Sequence, residues 1–230
     1  NLRAPGGTTL HWLGTTPRML PHDFQMKSRY GVGVDWPITY KDLVPYYEMA
    51  ENEIGVSGDV NDQNGPDMSP ANYGKEYVFP MRKIPQSYLD KQWMKNTQNL
   101  KVFMNGKSYT VTCVSTPQGR NSDPNEHYKY AGVKWDEKNQ RLYLPKSTET
   151  YRPVGAIWDP NTGERCEGNA ACVPICPVQA KYNGLKSLTA ELGSDQYPRL
   201  RLGVGRGSGD ARRQVLSRFS KEEEMELPEI

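Results

Sequence analysis

The chain of 230 residues carries a formal net charge of +2, which does not require a nucleic acid or an anionic membrane as a partner. Its 36% hydrophobic residues, 21 glycines and 18 prolines predict a loop-rich chain with a small core, while 14 tyrosines argue against disorder. No apolar run approaches the roughly 18 residues of a membrane span, and no secretory signal is recognisable.

The first 38 residues are punctuated by glycine and predict loops. The segment that follows has the strongest helical pattern in the chain. Thr39 and Asp42 have the spacing of a capping box, and Gly55 supplies a stop. Because proline is tolerated in the first turn of a helix, the regular part is expected to begin near Pro45.

Residues 57–85 predict a long surface loop, and residues 86–99 have a weaker helical pattern. The run KVFMNGKSYTVTCV predicts two strands with Asn105 and Gly106 in a type I′ hairpin turn. A second hairpin is predicted around residues 137–139.

After residue 183 the chain contains fewer turn residues and more charged ones. GLKSLTAELG predicts a short helix that stops at Gly193, and PRLRLGVGR alternates like a strand. Ser220 and Glu223 have the spacing of a second capping box.

Three of the four cysteines lie on one loop, at Cys166, Cys172 and Cys176. Thiolates are the soft ligands of iron–sulfur clusters and zinc, and three of them suit a three-iron cluster. Zinc fits less well because it takes four ligands and no histidine is near. The alternative is a disulfide with one remaining thiol, or three cysteines without a ligand. Cys113 is predicted to be a buried structural cysteine in a strand.

The glycine–threonine loop is formed by Gly6, Gly7, Thr8 and Thr9. Paired glycines let the backbone approach a ligand closely, and threonine offers hydroxyl and N–H groups to a phosphate or a ring edge. A plain turn explains the same residues. The loop is not a GxGxxG dinucleotide fingerprint, and residues 203–207 only approach that pattern.

The run GGTTLHWLGTTPRMLPHDF, the motif TPQGRNS at 116–122 and C-x-G-N-x-x-C-x-P-I-C-P at 166–177 occur together. Over residues 1–182 they resemble the glucose–methanol–choline (GMC) flavin oxidoreductases. The similarity is greatest to the branch of gluconate, fructose, sorbitol and glucose dehydrogenase large subunits.

The resemblance implies two cofactors, FAD and a [3Fe-4S] cluster that carries electrons away from it. Cys166, Cys172 and Cys176 correspond to the cluster ligands of that branch. His11 corresponds to a position near the flavin, and packing is its alternative role. The implied flavin contacts of the glycine–threonine loop are Gly6, Gly7, Thr8 and Thr9.

The implied reaction is oxidation of a hydroxyl of a sugar, sugar acid or polyol. The implied partners are a small subunit and a cytochrome c-type electron acceptor, in the periplasm or at a membrane. The implied fold is α+β and loop-rich, an internal piece of a GMC-type FAD-binding and substrate fold with a short α/β tail. The family's N-terminal GxGxxG half and C-terminal catalytic segment are expected to be missing, so we assign no catalytic residue and expect weak FAD binding or none.

Residues 183–230 resemble the C-terminal part of bacterial peptidyl-tRNA hydrolase. Asn183 corresponds to an asparagine that helps hold the end of the tRNA, whereas the catalytic residues of that enzyme have no counterpart here. The alternative functions are therefore a tRNA-binding protein, or a non-catalytic chimera that transfers electrons or has a structural role. Five arginines between 199 and 213 are either a tRNA-binding surface or a solvated face balanced by acidic residues.

Overall fold

The computed structural model describes residues 9, 12–63, 70–74, 76–153, 164–168, 172–173 and 176–194. The chain divides into two compact units, Asn1–Asp195 and Gln196–Ile230, and all described residues belong to the first. The strand predicted at 198–206 and the capping box at Ser220 and Glu223 lie outside the described residues. The helices are α1 (Met26–Tyr30), α2 (Tyr40–Ile54), α3 (Pro70–Tyr73), α4 (Tyr88–Thr97) and α5 (Gly184–Leu192). The strands are β1 (Ser57–Gly58), β2 (Met81–Arg82), β3 (Lys101–Met104), β4 (Lys107–Thr110), β5 (Lys134–Asp136) and β6 (Arg141–Tyr143).

Helix α2 has the predicted caps at both ends. The Thr39 N–H donates to the Asp42 carboxylate at 2.8 Å, and Gly55 ends the helix at a φ of 73°. The expected start near Pro45 is wrong, because the helix begins at Tyr40 and Pro45 lies inside it. Because the capping box fixes the first turn, the helix tolerates the absence of a backbone N–H at Pro45.

The region predicted as a long surface loop, residues 57–85, contributes to the core at both ends. Strand β1 pairs with β2 in parallel, and Val56, Phe79 and Met81 are fully buried. The prediction was wrong here because turn residues in the middle of the segment hid the short apolar run before Met81. These residues belong to two of the clusters of buried residues: Val56, Tyr73 and Phe79 form one, and Met81, Tyr128 and Tyr151 form the other.

A buried ion pair ties α2 to the N-terminal part of the chain. Arg18 donates to both carboxylate oxygens of Glu51, at 2.8 and 2.7 Å. Its guanidinium carbon lies 4.3 Å from the ring centroid of Tyr73 and 4.7 Å from that of Tyr77. Removing one partner of such a pair costs about 3–5 kcal/mol, because the other charge stays buried. The ion pair has a structural role, because it joins α2 to the loop before α1.

The two predicted hairpins are confirmed as β3–β4 and β5–β6. Asn105 and Gly106 have φ angles of 52° and 74°, as a type I′ turn requires. The helical pattern of residues 86–99 is confirmed as α4, and the short helix predicted for residues 184–193 is confirmed as α5. Helix α1 was not predicted, because its five residues are too few to show a period.

None of the described helices combines the length and apolar character needed to cross a membrane.

Candidate functional site

A central extended segment, residues 117–125, connects the parts of the chain around the cysteine loop. Ser57 and Gln118 exchange two backbone hydrogen bonds of 2.8 and 2.9 Å. The Tyr182 N–H donates to the carbonyl oxygen of Gly119 at 2.9 Å. The TPQGRNS motif therefore lies between β1 and the residues that follow the cysteines.

The ring of Trp12 packs against Gly119, at a point where the central segment has no side chain. A Cβ on Gly119 would lie 2.8 Å from a ring carbon of Trp12 and 3.0 Å from a methyl carbon of Ile54. The indole N–H of Trp12 donates to the carbonyl oxygen of Tyr182 at 2.9 Å, and the two rings meet edge to face. Trp12 thus connects the residues just after the glycine–threonine loop to those after the cysteines.

Cys166 and Cys176 pack in one hydrophobic cluster with Ala180. Their exposed fractions are 2% and 9%. The Cys166 N–H donates to the carbonyl oxygen of Asn121 at 2.9 Å, and the Asn121 N–H donates to that of Ala180 at 2.7 Å. Asn121 therefore positions the backbone on both sides of the cysteine loop.

Gly168 lies where the cysteine loop touches the residues before α4. Its φ of +78° is left-handed, and an added Cβ would lie 2.0 Å from the carbonyl oxygen of Pro85. The backbone nitrogen of Ser87 would lie 3.3 Å from the same atom. Only glycine fits both the backbone conformation and the space.

Cys172 lies beside a buried cation. Its side chain is buried, and its carbonyl oxygen accepts a hydrogen bond of 2.9 Å from the ammonium of Lys181. Lys181 also donates to the carbonyl oxygen of Trp12 at 2.7 Å. Burial lowers the pKa of Lys181, while the thiols of Cys176 and Cys172 act in the opposite direction.

The solvent side of the cysteine loop carries a charged cluster centred on Arg165. Its guanidinium contacts Asp123 at 2.6 Å and Glu167 at 2.7 Å. Hydrogen bonds to Glu167 and Asp123 raise the pKa of Arg165. A groove of about 690 Å³ opens beside the loop. Its lining includes Leu13, Trp93, Arg120, Gly168 and Cys172.

The cysteine loop has the donor type of an iron–sulfur cluster but, in its described residues, not the geometry of one. None of the four cysteines forms a disulfide, so the predicted alternative of a disulfide with one remaining thiol is wrong in this structure. Three buried thiols match such a cluster in donor type and shielding. Within the described ranges, no group of three or more His, Cys, Asp or Glu side chains is arranged to hold a metal ion. The three sulfurs therefore do not converge on one point in this structure.

Of the residues predicted to contact a flavin, the structure describes Thr9 alone. Its hydroxyl accepts a hydrogen bond of 3.4 Å from the N–H of Gly184, at the start of α5. Gly6, Gly7, Thr8 and His11 lie outside the described residues.

Asn183 occupies the turn that leads into α5 and is half-buried. Next to it, the hydroxyl of Ser187 donates to that of Tyr182 at 3.2 Å. The prediction for Cys113 is wrong in part, because this residue is half-buried and follows the end of β4. Its sulfur lies 3.1 Å from the hydroxyl oxygen of Thr97.

The dehydrogenase-like part of the chain has relatives among known oxidoreductases. The chain is 34% identical over 184 residues to the fructose dehydrogenase large subunit of Gluconobacter japonicus, covering 80% of this chain. It is 42% identical over 64 residues to the 2-methyl-1,2-propanediol dehydrogenase of Mycolicibacterium austroafricanum, covering 27% of this chain. The matches span 25% and 12% of the lengths of those two proteins.

The C-terminal part has a different set of relatives. Residues 177–230 match the peptidyl-tRNA hydrolase family. The chain is 49% identical over 51 residues to the peptidyl-tRNA hydrolase of Chloroflexus aggregans, covering 21% of this chain and 27% of that enzyme.

The resemblance inferred from the sequence is thereby confirmed for both parts. The first part is related to GMC-type oxidoreductases of the fructose dehydrogenase large-subunit branch, and the second to peptidyl-tRNA hydrolase. The two matches together exceed the length of the chain, so they overlap. The hydrolase match begins at residue 177, and residues 180–182 pair with the central segment.

Proposed function

We propose that residues 1–182 are part of an FAD- and iron–sulfur-dependent dehydrogenase that oxidises a hydroxyl of a sugar, sugar acid or polyol. The observation that carries the proposal is the burial of Cys166, Cys172 and Cys176 on one loop without a disulfide. The similarity to a fructose dehydrogenase large subunit over 184 residues supports it. The fold proposed for this part is the α+β fold of the GMC oxidoreductases.

Two cofactors belong to the proposal. The three cysteines would hold a [3Fe-4S] cluster, which requires their three sulfurs to converge on one point. The proposed FAD contacts are Gly6, Gly7, Thr8, Thr9 and His11. When bound, these groups supply hydride acceptance at the flavin and one-electron transfer at the cluster.

The residues of the chain itself position and shield the cluster ligands. Asn121 fixes the backbone of Cys166, and Gly168 holds the loop against Pro85. Burial of the cysteines keeps water away from their sulfurs. The ammonium of Lys181 holds the carbonyl oxygen of Cys172.

The proposed electron acceptor is a cytochrome c-type protein, and the proposed second partner is a small subunit. The proposed location is the periplasm or a membrane surface. The family resemblance supports these three proposals. The substrate class is supported by the names of the two related dehydrogenases.

Serine variants of the cysteines test the proposed cluster. The chain is purified without oxygen, and its iron, acid-labile sulfide and visible absorbance are measured for Cys166→Ser, Cys172→Ser and Cys176→Ser. Each variant is expected to lose most of its iron, because a serine hydroxyl is a poor ligand for this type of cluster.

Cys113→Ser is the matched control, since Cys113 lies outside the loop and is expected to have no role in iron binding. It is expected to keep the iron content of the unmodified chain. Equal iron content in all four variants, or an iron-free unmodified chain, would contradict the proposal.

We propose tRNA binding by residues 183–230 as a second candidate function. The match of residues 177–230 to the peptidyl-tRNA hydrolase family favours it. Asn183 is the residue proposed to contact the end of the tRNA. Positively charged side chains that neutralise phosphates would give this binding a steep dependence on salt.

Titration of the chain with tRNA at two salt concentrations tests this candidate. Binding is expected to weaken at the higher salt and to weaken further in Asn183→Ala. Asn96→Ala, on the exposed side of α4, is the matched control and is expected to bind like the unmodified chain. Absence of binding at low salt, or equal binding by both variants, would count against it.

A further inference from the structure

A cleft of about 830 Å³ is lined by residues of α1, α2 and α3, and we call it the α2 cleft. Helix α2 contributes Tyr40, Val44 and Glu48 to its wall. The residues that line it are all different from those that line the groove beside the cysteine loop. A volume of this size is typical of a site that takes a small organic molecule.

Aromatic rings form much of the apolar wall of the α2 cleft, including those of Phe24, Trp36 and Tyr40. The rings of Phe24 and Trp36 meet edge to face with their centroids 5.7 Å apart. The backbone N–H of Trp36 donates to the carbonyl oxygen of Phe24 at 3.0 Å, so the ring is held in place. Because 48% of Trp36 is exposed, its ring offers a ligand an apolar surface whose face also attracts cations.

The charged residues in the wall of the α2 cleft carry more negative than positive charge. Among the described residues that line it, Asp35 and Glu48 are acidic and Lys41 is basic. The carboxylate of Asp35 accepts from the backbone N–H groups of Ser28 and Lys27, at 3.0 and 2.9 Å. The hydrogen bond from Ser28 lowers the pKa of Asp35, so this group is ionised at neutral pH. The cleft therefore favours a positively charged ligand over a negatively charged one.

Glu48 is a half-buried carboxylate that the buried ion pair on α2 leaves unused. Arg18 gives its side-chain hydrogen bonds to Glu51, one turn further along α2, and to Tyr40. Glu48 itself forms no hydrogen bond or salt bridge with any described residue. Burial raises the pKa of Glu48, Arg18 acts in the opposite direction, and Glu51 raises it further. A cation bound beside Glu48 would offset the cost of burying this charge.

We propose that the α2 cleft binds a small organic amine in its protonated form, with the ammonium group at Glu48 and the apolar body against Trp36. An ammonium group carries only donors, which a carboxylate satisfies, and its charge complements the acidic wall. An anionic ligand would add to the surplus of negative charge, and a neutral one would leave Glu48 without a counter-ion. The site goes beyond the proposed function and needs neither of the proposed cofactors.

Three probes of similar shape test the charge preference of the cleft in the unmodified chain. Benzylamine is a cation at neutral pH, benzamide is neutral and benzoate is an anion, and all three carry the same ring. Isothermal titration calorimetry is expected to give benzylamine an affinity about tenfold or more above that of benzamide, the effect of one charge-assisted hydrogen bond. Benzoate is expected to bind most weakly. Equal affinities for the three probes, or no binding of benzylamine at millimolar concentration, would overturn the proposal.

Glu48→Gln tests the residue assigned to the ammonium group. It is expected to weaken benzylamine binding by about tenfold or more and to change benzamide binding by less than about twofold. Glu137→Gln is the matched control, because it removes the same charge from the exposed turn between β5 and β6 and is expected to bind like the unmodified chain. Equal benzylamine affinity in both variants would overturn the role of Glu48. Far-UV circular dichroism verifies folding, and the ranking of the three probes decides the proposal if Glu48→Gln does not fold.

Tryptophan fluorescence tests where the amine binds. Benzylamine is expected to change the fluorescence of the unmodified chain, and Trp36→Phe is expected to remove most of that change. Trp93→Phe is the matched control, because Trp93 is exposed on α4 outside the cleft, and this variant is expected to keep the change. A change of equal size in both variants would place the ligand elsewhere and overturn the site. An iron-free chain would contradict the proposed function but not this one, since none of these measurements depends on iron or flavin.

Discussion

At Gly168 the cysteine loop lies against the backbone of Pro85. The left-handed φ of Gly168 and the nearby carbonyl oxygen of Pro85 both exclude a side chain. A carbonyl oxygen is part of the backbone, so it cannot rotate away as the end of a flexible side chain can. The position of the whole loop against the residues before α4 therefore depends on a missing Cβ.

Gly168→Ala is expected to destabilise the protein by roughly 3 kcal/mol, through strain at positive φ together with the clash. The measurement is the free energy of unfolding in denaturant. Gly106→Ala is the matched control, because Gly106 has a φ of +74° with nothing within 4 Å of an added Cβ.

The control is expected to lose about 1 kcal/mol, from the backbone conformation alone. An equal loss of unfolding free energy in the two variants would show that the contact with Pro85 does not contribute to stability. The iron content of Gly168→Ala is also expected to fall, whereas that of Gly106→Ala is expected to stay unchanged.

At the residue scale the sequence identified the cysteines but not the residues that support them. Cys166, Cys172 and Cys176 stand out because their side chains bind metals and their spacing is short. Lys181 and Trp12 gave no such signal, since a lysine in a short sequence window is most often exposed. Their roles arise from hydrogen bonds across more than 160 positions, which no local pattern encodes.

Helix α2 is the element that organises the described core. It carries Glu51, which pairs with Arg18, and Asn52, whose side chain donates to the hydroxyl of Tyr128 at 2.8 Å. The helix keeps this role although Pro45 interrupts its backbone hydrogen bonds after the first turn. Its stability therefore comes from tertiary packing and caps more than from propensity.

Pro45→Ala is expected to stabilise the protein by about 1–2 kcal/mol, since it restores a backbone donor inside α2 at a small cost in unfolded-chain entropy. The measurement is again the free energy of unfolding. Pro21→Ala is the control, because Pro21 occupies the first position of a 3-10 helix, where its missing N–H costs nothing.

The control is expected to show no gain. A loss of stability in Pro45→Ala would mean that the proline ring makes contacts that outweigh the missing hydrogen bond. A gain of equal size in both variants would point to a general effect of proline removal.

At the element scale, local signals predicted α2, α4, α5 and both hairpins. Caps, turn glycines and alternation act over a few residues, so these elements are visible in the sequence. The core contribution of residues 57–85 was not visible, because β1 and β2 have two residues each and pair across a long connection. Two residues are too few to show the alternation of apolar and polar residues that predicts a strand.

At the scale of the whole molecule, two parts of the chain are similar to two different sets of proteins. The residues shared by the two matches lie next to the cysteine loop, where residues 180–182 pair with the central segment. Backbone hydrogen bonds therefore hold these shared residues within the described fold. Helix α5 follows it directly, with its first N–H bonded to Thr9.

The central claim is that the cysteine loop holds an iron–sulfur cluster. Chemical analysis of iron and acid-labile sulfide in the anaerobically purified, unmodified chain tests this claim most directly. The account predicts iron and sulfide in the proportion of the [3Fe-4S] formula, with one cluster for each chain. A colourless protein that contains neither element after anaerobic reconstitution with iron and sulfide, while its three loop cysteines all react with a thiol reagent, would contradict it.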